Sequence, residues 1–315
     1  MLDTIIINPG GRQQTYQDLN KKFTGIEPPI WAGLIANFLK QKLIKLKLVD
    51  TNALMIDPCE MAQIVQEEKP ILVTIVIYGH NPSASTQTMP SAGALAREIK
   101  KLNPNQKIIF VGGHVTALPH QTLIEESCDY VCTGEGPITV YELIKQLKND
   151  PSQLKHIPSL AYLGTHNQLN KTKAAPLLSD LDKELPGVAW ELLPMEKYRA
   201  HNWHGFTAST RYNYASIYTT LGCPFNCSFC CIQAPFKESE LVSNLKRNSY
   251  RSWSPKFILA QIDSLVKDYN IKNLKIADEL FIMNKDHVTE ICEGLIERNY
   301  NLNIWAYSRV DTLSE

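Results

Sequence analysis

Three cysteines stand within eight residues in the segment Cys223-Pro-Phe-Asn-Cys227-Ser-Phe-Cys230. Thiolates are soft ligands and select soft centres, chiefly zinc or iron–sulfur clusters. A regular helix or strand cannot aim three side chains at this spacing at one point. The segment is therefore expected to be a loop wrapped around a metal. A closed zinc site takes four protein ligands, and the segment supplies three. Cys231 or His204 would have to complete a zinc knuckle. An iron–sulfur cube held by three cysteines instead leaves one iron open to a small molecule, and the cluster is the preferred reading. Cys59, Cys128, Cys132 and Cys292 are scattered along the chain and read as small buried hydrophobes.

Two further stretches carry charge where a site would use it. Lys275-Ile-Ala-Asp278-Glu279-Leu-Phe281 ends a short apolar run with two carboxylates, and Trp305-Ala-Tyr-Ser308-Arg309-Val-Asp311 ends another with a guanidinium. Carboxylates there suit an ammonium ligand, although Asp-Glu is also a common helix cap. Arg309 could hold a carboxylate ligand or a structural ion pair. The N-terminal loops offer residues that permit close approach of a ligand to the backbone. They are Asn8-Pro9-Gly10-Gly11, Tyr78-Gly79 through Ser83 to Ser85-Thr86, Gly112-Gly113-His114, and Thr133-Gly134-Glu135-Gly136. Neither a G-x-G-x-x-G fingerprint nor a P-loop is present, which disfavours dinucleotide and nucleoside triphosphate sites.

The Cys-x3-Cys-x2-Cys segment, with Phe229 before its last cysteine, resembles the radical S-adenosylmethionine superfamily. That resemblance implies a 4Fe–4S cluster on Cys223, Cys227 and Cys230. Its open iron would chelate S-adenosylmethionine, whose reductive cleavage gives a 5′-deoxyadenosyl radical. Asp278-Glu279-x-Phe281 and the Arg309 segment are similar to the cobalamin-dependent branch. Phe229, Asp278, Glu279 and Arg309 are then the expected S-adenosylmethionine contacts. Val111-Gly112-Gly113-His114 through Pro119, with Asp129 through Gly136, resembles the cobalamin-binding domain fused to that branch. By this resemblance Asn8, Gly10, Tyr78, Ser83, Ser85, Thr86, Gly112, Gly113, His114, Thr133, Gly134, Glu135 and Gly136 contact cobalamin. The Asp-x-His-x-x-Gly motif that supplies a lower axial histidine in methionine-synthase-like domains is absent. His114 is not placed like that ligand, so the cobalt would have no lower ligand of that kind, or a different one.

The elements that must position these residues read as α/β. Strands are expected at Thr4–Asn8, Ile44–Val49, Ile71–Tyr78, Lys107–Val111 and Tyr130–Cys132, and helices from Pro28-Pro29 and over Cys59–Glu67, Ser91–Leu102 and Val140–Leu147. Residues 1–150 thus form a doubly wound parallel sheet, the Rossmann-like cobalamin-binding domain. Residues 151–212 read as a linker with a β-hairpin. There Trp203, His204 and, beyond them, Arg211–Tyr214 either pack the domains together or reach the site. Residues 213–315 hold strands near Ser216, Asn273 and Asn303 with two helices between them, the first three β/α units of a partial TIM-type radical barrel. The radical fold implies about six such units, so the sequence reads as a fragment of a longer protein or as one completed by a partner.

With 315 residues the chain has length for roughly two domains. Its 32 basic and 32 acidic residues balance to zero, which argues against a nucleic-acid partner. Lys246, Arg247 and Arg251 read as a solvated face. No apolar run approaches the ~20 residues of a membrane span, and the start of the chain shows no signal peptide. The cytoplasm is the expected compartment. The expected activity is methyl transfer to an unactivated carbon of a small molecule, with an electron donor such as flavodoxin or ferredoxin. The alternatives are a cobalamin-using rearrangement or cyclisation enzyme, and a non-enzymatic cobalamin carrier or sensor with a structural metal site. A methylthiotransferase-like reading lacks a second cysteine cluster, and a ferredoxin-like carrier fits the large α/β domain poorly.

Overall fold

The computed structural model describes residues 1–20, 23–79, 82–150, 152–201, 211–243 and 249–312. Trp203, His204, Lys246 and Arg247 lie outside the described residues. The first sheet has seven strands, β1 (Thr4–Asn8), β2 (Leu46–Asp50), β3 (Leu72–Val76), β4 (Lys107–Val111), β5 (Tyr130–Cys132), β6 (Leu160–Leu163) and β7 (Leu169–Lys171). Their spatial order is β2-β1-β3-β4-β5-β6-β7. β1 to β5 are parallel, and β6 and β7 run antiparallel as the far edge. The central strands are Ile-, Val- and Phe-rich and buried on both faces, as helices on both sides require.

The hairpin expected in the linker is therefore part of this sheet. It adds to β5 through Val131 opposite Ala161, so the first sheet extends to Lys171. The helix expected from Ser91 begins at Pro82 and continues through Pro90 to Leu102. Pro90 lies inside this helix, where it removes a hydrogen-bond donor and crowds the preceding turn, and the helix continues through it. Helices Gly113–Ala117 and Pro119–Glu125, which make the crossover from β4 to β5, carried too little periodicity to be anticipated.

The second sheet contains β8 (Tyr214–Ile217), β11 (Asn273–Ile276) and β12 (Asn303–Ala306), all parallel, in the order β12-β11-β8. A short antiparallel pair, β9 (Thr220–Leu221) with β10 (Arg251–Ser252), continues beyond β8. Helices Pro255–Tyr269 and Lys285–Arg298 make the right-hand links of these βα units. The helix Ile30–Gln41 joins the two halves. Its residues Trp31, Leu34, Ile35 and Phe38 belong to one apolar core that runs from Ile6 of β1 to Ile276 of β11. Gly33 lets the segment before the second sheet lie against this helix, because a side chain there would strike Val188. Asn37 fixes the same segment by donating to the carbonyls of Pro186 and Gly187, each at 3.0 Å.

Candidate functional site

In a parallel sheet, ligands bind beyond the carboxyl ends of the strands where the strand order reverses. That reversal falls between β1 and β3. A cleft opens there, lined among others by Asn8, Gly10, Gly11, Trp31, Tyr78 and Gly79. A second, small space adjoins it and is lined from both halves of the chain. Trp31, Tyr78, Gly79, Ser85 and Gly113 come from the first sheet side. Tyr218, Cys231, Phe236 and Glu279 come from the second. The Trp31 and Tyr78 rings stack with centroids 4.3 Å apart and planes 13° apart, forming a flat apolar wall. Trp31 and Tyr218 both line this space, so the indole sits where the two halves meet.

The expected cobalamin contacts divide into two groups. Gly10 and Gly113 line the spaces without being jammed: a Cβ built on them would sit in ordinary contact with Thr51 at 3.5 Å and with Ser85 at 3.7 Å. Asn8 lies at the cleft floor, its amide donating to Asp50 at 2.8 Å. Tyr78 borders both spaces. Ser85 donates to the carbonyl of Ile77 and accepts from His114 N at 2.9 Å, which closes the β3 loop onto the β4 loop. His114 and Thr86 contact each other at 3.0 Å at the surface, and burial lowers the imidazole pKa. The Ser83 side chain lies outside the described residues.

The other group departs from expectation because the fold itself uses it. A side chain on Gly112 would collide with the carbonyl of Ile77, one on Gly134 with Ser159 at 2.8 Å, and one on Gly136 with Val111 at 2.8 Å. Gly136 also has φ +115°. Thr133 is buried and donates its N–H to Ser159. Glu135 forms a buried two-point ion pair with Arg251, at 2.7 Å and 3.1 Å. Arg251 is therefore interior, not a solvated face: its side chain is 3% exposed. A run of residues that looks like a ligand loop in sequence is a packing and ion-pair element in space.

The cysteine loop follows β8 and β9. Cys223 is buried, Cys227 half-buried, and Cys230 and Cys231 exposed. Burial pushes the Cys223 thiol pKa up, and the neighbouring Cys227 and Cys230 add to it. Among the described residues, however, no three His, Cys, Asp or Glu side chains are gathered tightly enough to hold a metal ion. Zn–S bonds of about 2.3 Å would draw tetrahedral thiolates to about 3.8 Å from one another. Three thiols on one loop are the soft donor set that an iron–sulfur cluster uses. Cys227 Sγ accepts from Arg309 at 3.3 Å, and the guanidinium lies 4.1 Å from the Phe225 ring centroid. Arg309 also pairs with Asp311, so it meets the cysteine loop and its own neighbour. Phe229 is 91% exposed and touches no part of the cleft.

The two carboxylates at the end of β11 separate. Asp278 is fully buried and accepts from Thr219 N at 2.6 Å, Thr219 Oγ1 at 2.5 Å and Thr220 N at 3.2 Å. It holds the β8–β9 turn, and its carboxylate oxygens are taken up by Thr219 and Thr220. Burial raises its pKa to about 6. Glu279 faces the shared space, and burial together with the Asp278 charge raises its pKa to about 7. Of the remaining cysteines, Cys132 is buried as expected, with its thiol raised to about 11 by burial. Cys59 and Cys292 are exposed and Cys128 is half-buried, because their helices and turns present them outward. Gly79 lies in a loop that was singled out, whereas Trp31, Tyr218 and Phe236 were not anticipated. Trp31 repeats at core spacing in its helix, which hid its second role.

Residues 16–144 match the B12-binding domain family. That span is similar to a B12-binding domain and covers β2 to β5 and most of the helices that flank them. The chain is 28% identical over 289 residues to an uncharacterized methyltransferase of Pyrococcus horikoshii, covering 91% of this chain and 56% of that protein. It is 27% identical over 243 residues to an anaerobic magnesium-protoporphyrin IX monomethyl ester cyclase of Synechocystis, covering 76% and 43%. Its fold is that of the cobalamin-dependent S-adenosylmethionine radical enzyme OxsB, solved with aqua-cobalamin and S-adenosylmethionine, at TM-score 0.71 and 18% identity over 100% of this chain and 40% of OxsB. It also superimposes on the radical S-adenosylmethionine methyltransferase TsrM of Kitasatospora setae, at TM-score 0.66 and 16% identity over 97% and 54%. The chain thus spans about half the length of the curated relatives it matches. The cleft at the β1/β3 reversal is lined partly by the matched span, from Tyr16 to Thr88, and partly by Asn8 to Thr15 and His201 outside it; the shared space adjoins it.

Proposed function

We propose that this chain is the corrin- and cluster-bearing part of a cobalamin-dependent radical S-adenosylmethionine enzyme that methylates an unactivated carbon of a small molecule. The observation that carries the reading is the shared space, where Tyr78, Gly79 and Gly113 of the B12-binding domain face Tyr218, Cys231 and Glu279. When bound, the cofactors would supply a transferable methyl group and a one-electron route to a carbon radical. Cys223, Cys227 and Cys230 hold the cluster. Gly10 and Gly113 admit the corrin to the backbone, and the Trp31–Tyr78 stack keeps water from that side. Glu279 receives the ammonium of S-adenosylmethionine, whose positive charge would restore its ionised form. A small electron-transfer protein such as flavodoxin or ferredoxin supplies reducing equivalents, in a cytoplasmic setting that keeps the thiols reduced. A second reading, ring closure without methyl transfer, is favoured by the ester cyclases among the relatives.

The test is anaerobic reconstitution with iron, sulfide and hydroxocobalamin, followed by metal analysis and visible spectra. The chain is expected to take up about four irons and one corrin. A Cys223→Ala, Cys227→Ala, Cys230→Ala variant is expected to lose the iron and keep the corrin. Zinc in place of iron, or no corrin on a folded chain, would overturn the corresponding half.

A further inference from the structure

A run of hydrogen bonds, through side chains and the backbone of Ser249, crosses from the first sheet to the backbone of the first cysteine of the loop. Glu135, after β5, holds Arg251 of β10 in the buried two-point pair. Arg251 also donates to Leu178 O at 2.6 Å and, through Nε, to Ser249 O at 2.9 Å. Ser249 Oγ donates to Gln233 Oε1 at 2.9 Å. Gln233 Nε2 donates to the carbonyl of Cys223 and to that of Phe225 at 3.3 Å. The two carbonyl acceptors on one side and the hydroxyl donor on the other fix which way the Gln233 amide points. Gly222 has φ +78° and lies directly against Ser249, so the backbone entering Cys223 is seated on the same chain. Ser249 and Arg251 are buried, so these bonds are shielded from water and hold geometry better than surface ones.

We infer that Gln233 is a positioning residue, and that with Arg251 and Glu135 it forms a strut that sets the Cys223–Phe225 backbone from the B12-binding domain. The strut also backs the shared space. Arg251 lies 5.7 Å from the Phe236 ring centroid, and Tyr78 donates to Glu135 O at 3.1 Å. Phe236 and Tyr78 both line that space. This inference rests on the proposed function for its purpose, but the geometry is tested without any cofactor.

The probe is iodoacetamide alkylation of the cofactor-free chain, followed by peptide mapping to read each cysteine. Gln233→Met removes both donations to the loop backbone. A net contribution of about 1–1.5 kcal/mol for such bonds converts to about tenfold in local opening. Cys223 alkylation is expected to rise about tenfold, while exposed Cys59 and Cys292 keep their rates. Ser249→Ala is a milder variant and is expected to raise Cys223 labelling about threefold. Glu135→Gln, at the far end, is expected to raise it as well. The Gln233→Met/Glu135→Gln double variant should then exceed Gln233→Met alone by little, because both act through one chain. Unchanged Cys223 labelling in Gln233→Met and Ser249→Ala overturns the positioning role. Fully multiplicative effects in the double variant overturn the strut. On reconstitution with iron and sulfide, Gln233→Met is expected to show an altered electron paramagnetic resonance spectrum of the reduced cluster with corrin uptake unchanged. Absence of iron from the unsubstituted chain would count against the cluster reading and leave the labelling result standing.

Discussion

The loop after β5 and the loop after β9 both read in sequence as candidate ligand loops, yet the chain uses them in opposite ways. The first holds two glycines and Glu135, the second Gly222 and the cysteines. In the first, Thr133 to Gly136 are buried, and Glu135 is fully engaged by Arg251, the N–H of Leu178 and the sheet behind it. In the second, the thiols of Cys227, Cys230 and Cys231 are at least partly open, and only Cys223 is buried. The difference teaches that residue type marks a candidate, while the partners already present decide whether the side chain is left for a ligand. A group satisfied inside the protein has little to offer outside it.

The largest effect that would break or sharpen this contrast is at the link between the loops. Arg251→Met leaves Glu135 charged, buried and without its partner, and should cost about 3–5 kcal/mol. Adding Glu135→Gln removes the stranded charge, so the double variant should regain most of that loss in urea unfolding. A double variant as unstable as the single one would show that the pair is not what holds this region. Next, Gly136→Ala meets both a positive φ and the Val111 and Ile35 side chains. It should cost about 1–3 kcal/mol and lower the melting temperature, whereas a true ligand glycine would lose only corrin binding.

A pH series separates the site side of β11. Glu279 has a folded-state pKa raised to about 7 by burial and by Asp278. Between the ordinary carboxylate range near 4.3 and that value the folded chain holds more protons than the unfolded one. Stability should therefore fall as pH rises from about 4.5 to 7. Asp278, raised to about 6, contributes in the lower part of that range, so Glu279→Gln should flatten the profile chiefly between about pH 6 and 7, and an equally steep profile there in the variant would assign the slope to other groups. The smallest effect belongs to the cysteine loop. Cys230→Ser, at an exposed position, should change stability by no more than about 0.5 kcal/mol while sharply lowering iron uptake. A stability loss matching that of Gly136→Ala would erase the contrast between the two loops.

Most of the fold was legible in the chain. The apolar runs at Thr4–Asn8 and Lys107–Val111 are strands with the expected bounds, because strands buried on both faces must be continuously apolar. The hairpin Leu160–Lys171 was visible as a hairpin, but its membership of the first sheet was not. Adding to β5 depends on a free strand edge that local sequence does not describe. The long helix through Pro90 was shortened in sequence for a similar reason, since tertiary packing outweighs one lost hydrogen bond.

By itself the sequence determined the alternation that makes the B12-binding domain, the three-cysteine loop, and the pair of carboxylates at Asp278-Glu279. These depend on local spacing and residue type. Only the tertiary structure decided that Asp278 is a structural acceptor while Glu279 faces the shared space. It alone assigned Arg251 to Glu135 and brought Trp31 beside Tyr218. Those outcomes depend on which distant groups arrive within hydrogen-bonding distance, and on the burial that makes each unpaired polar group too costly to leave alone.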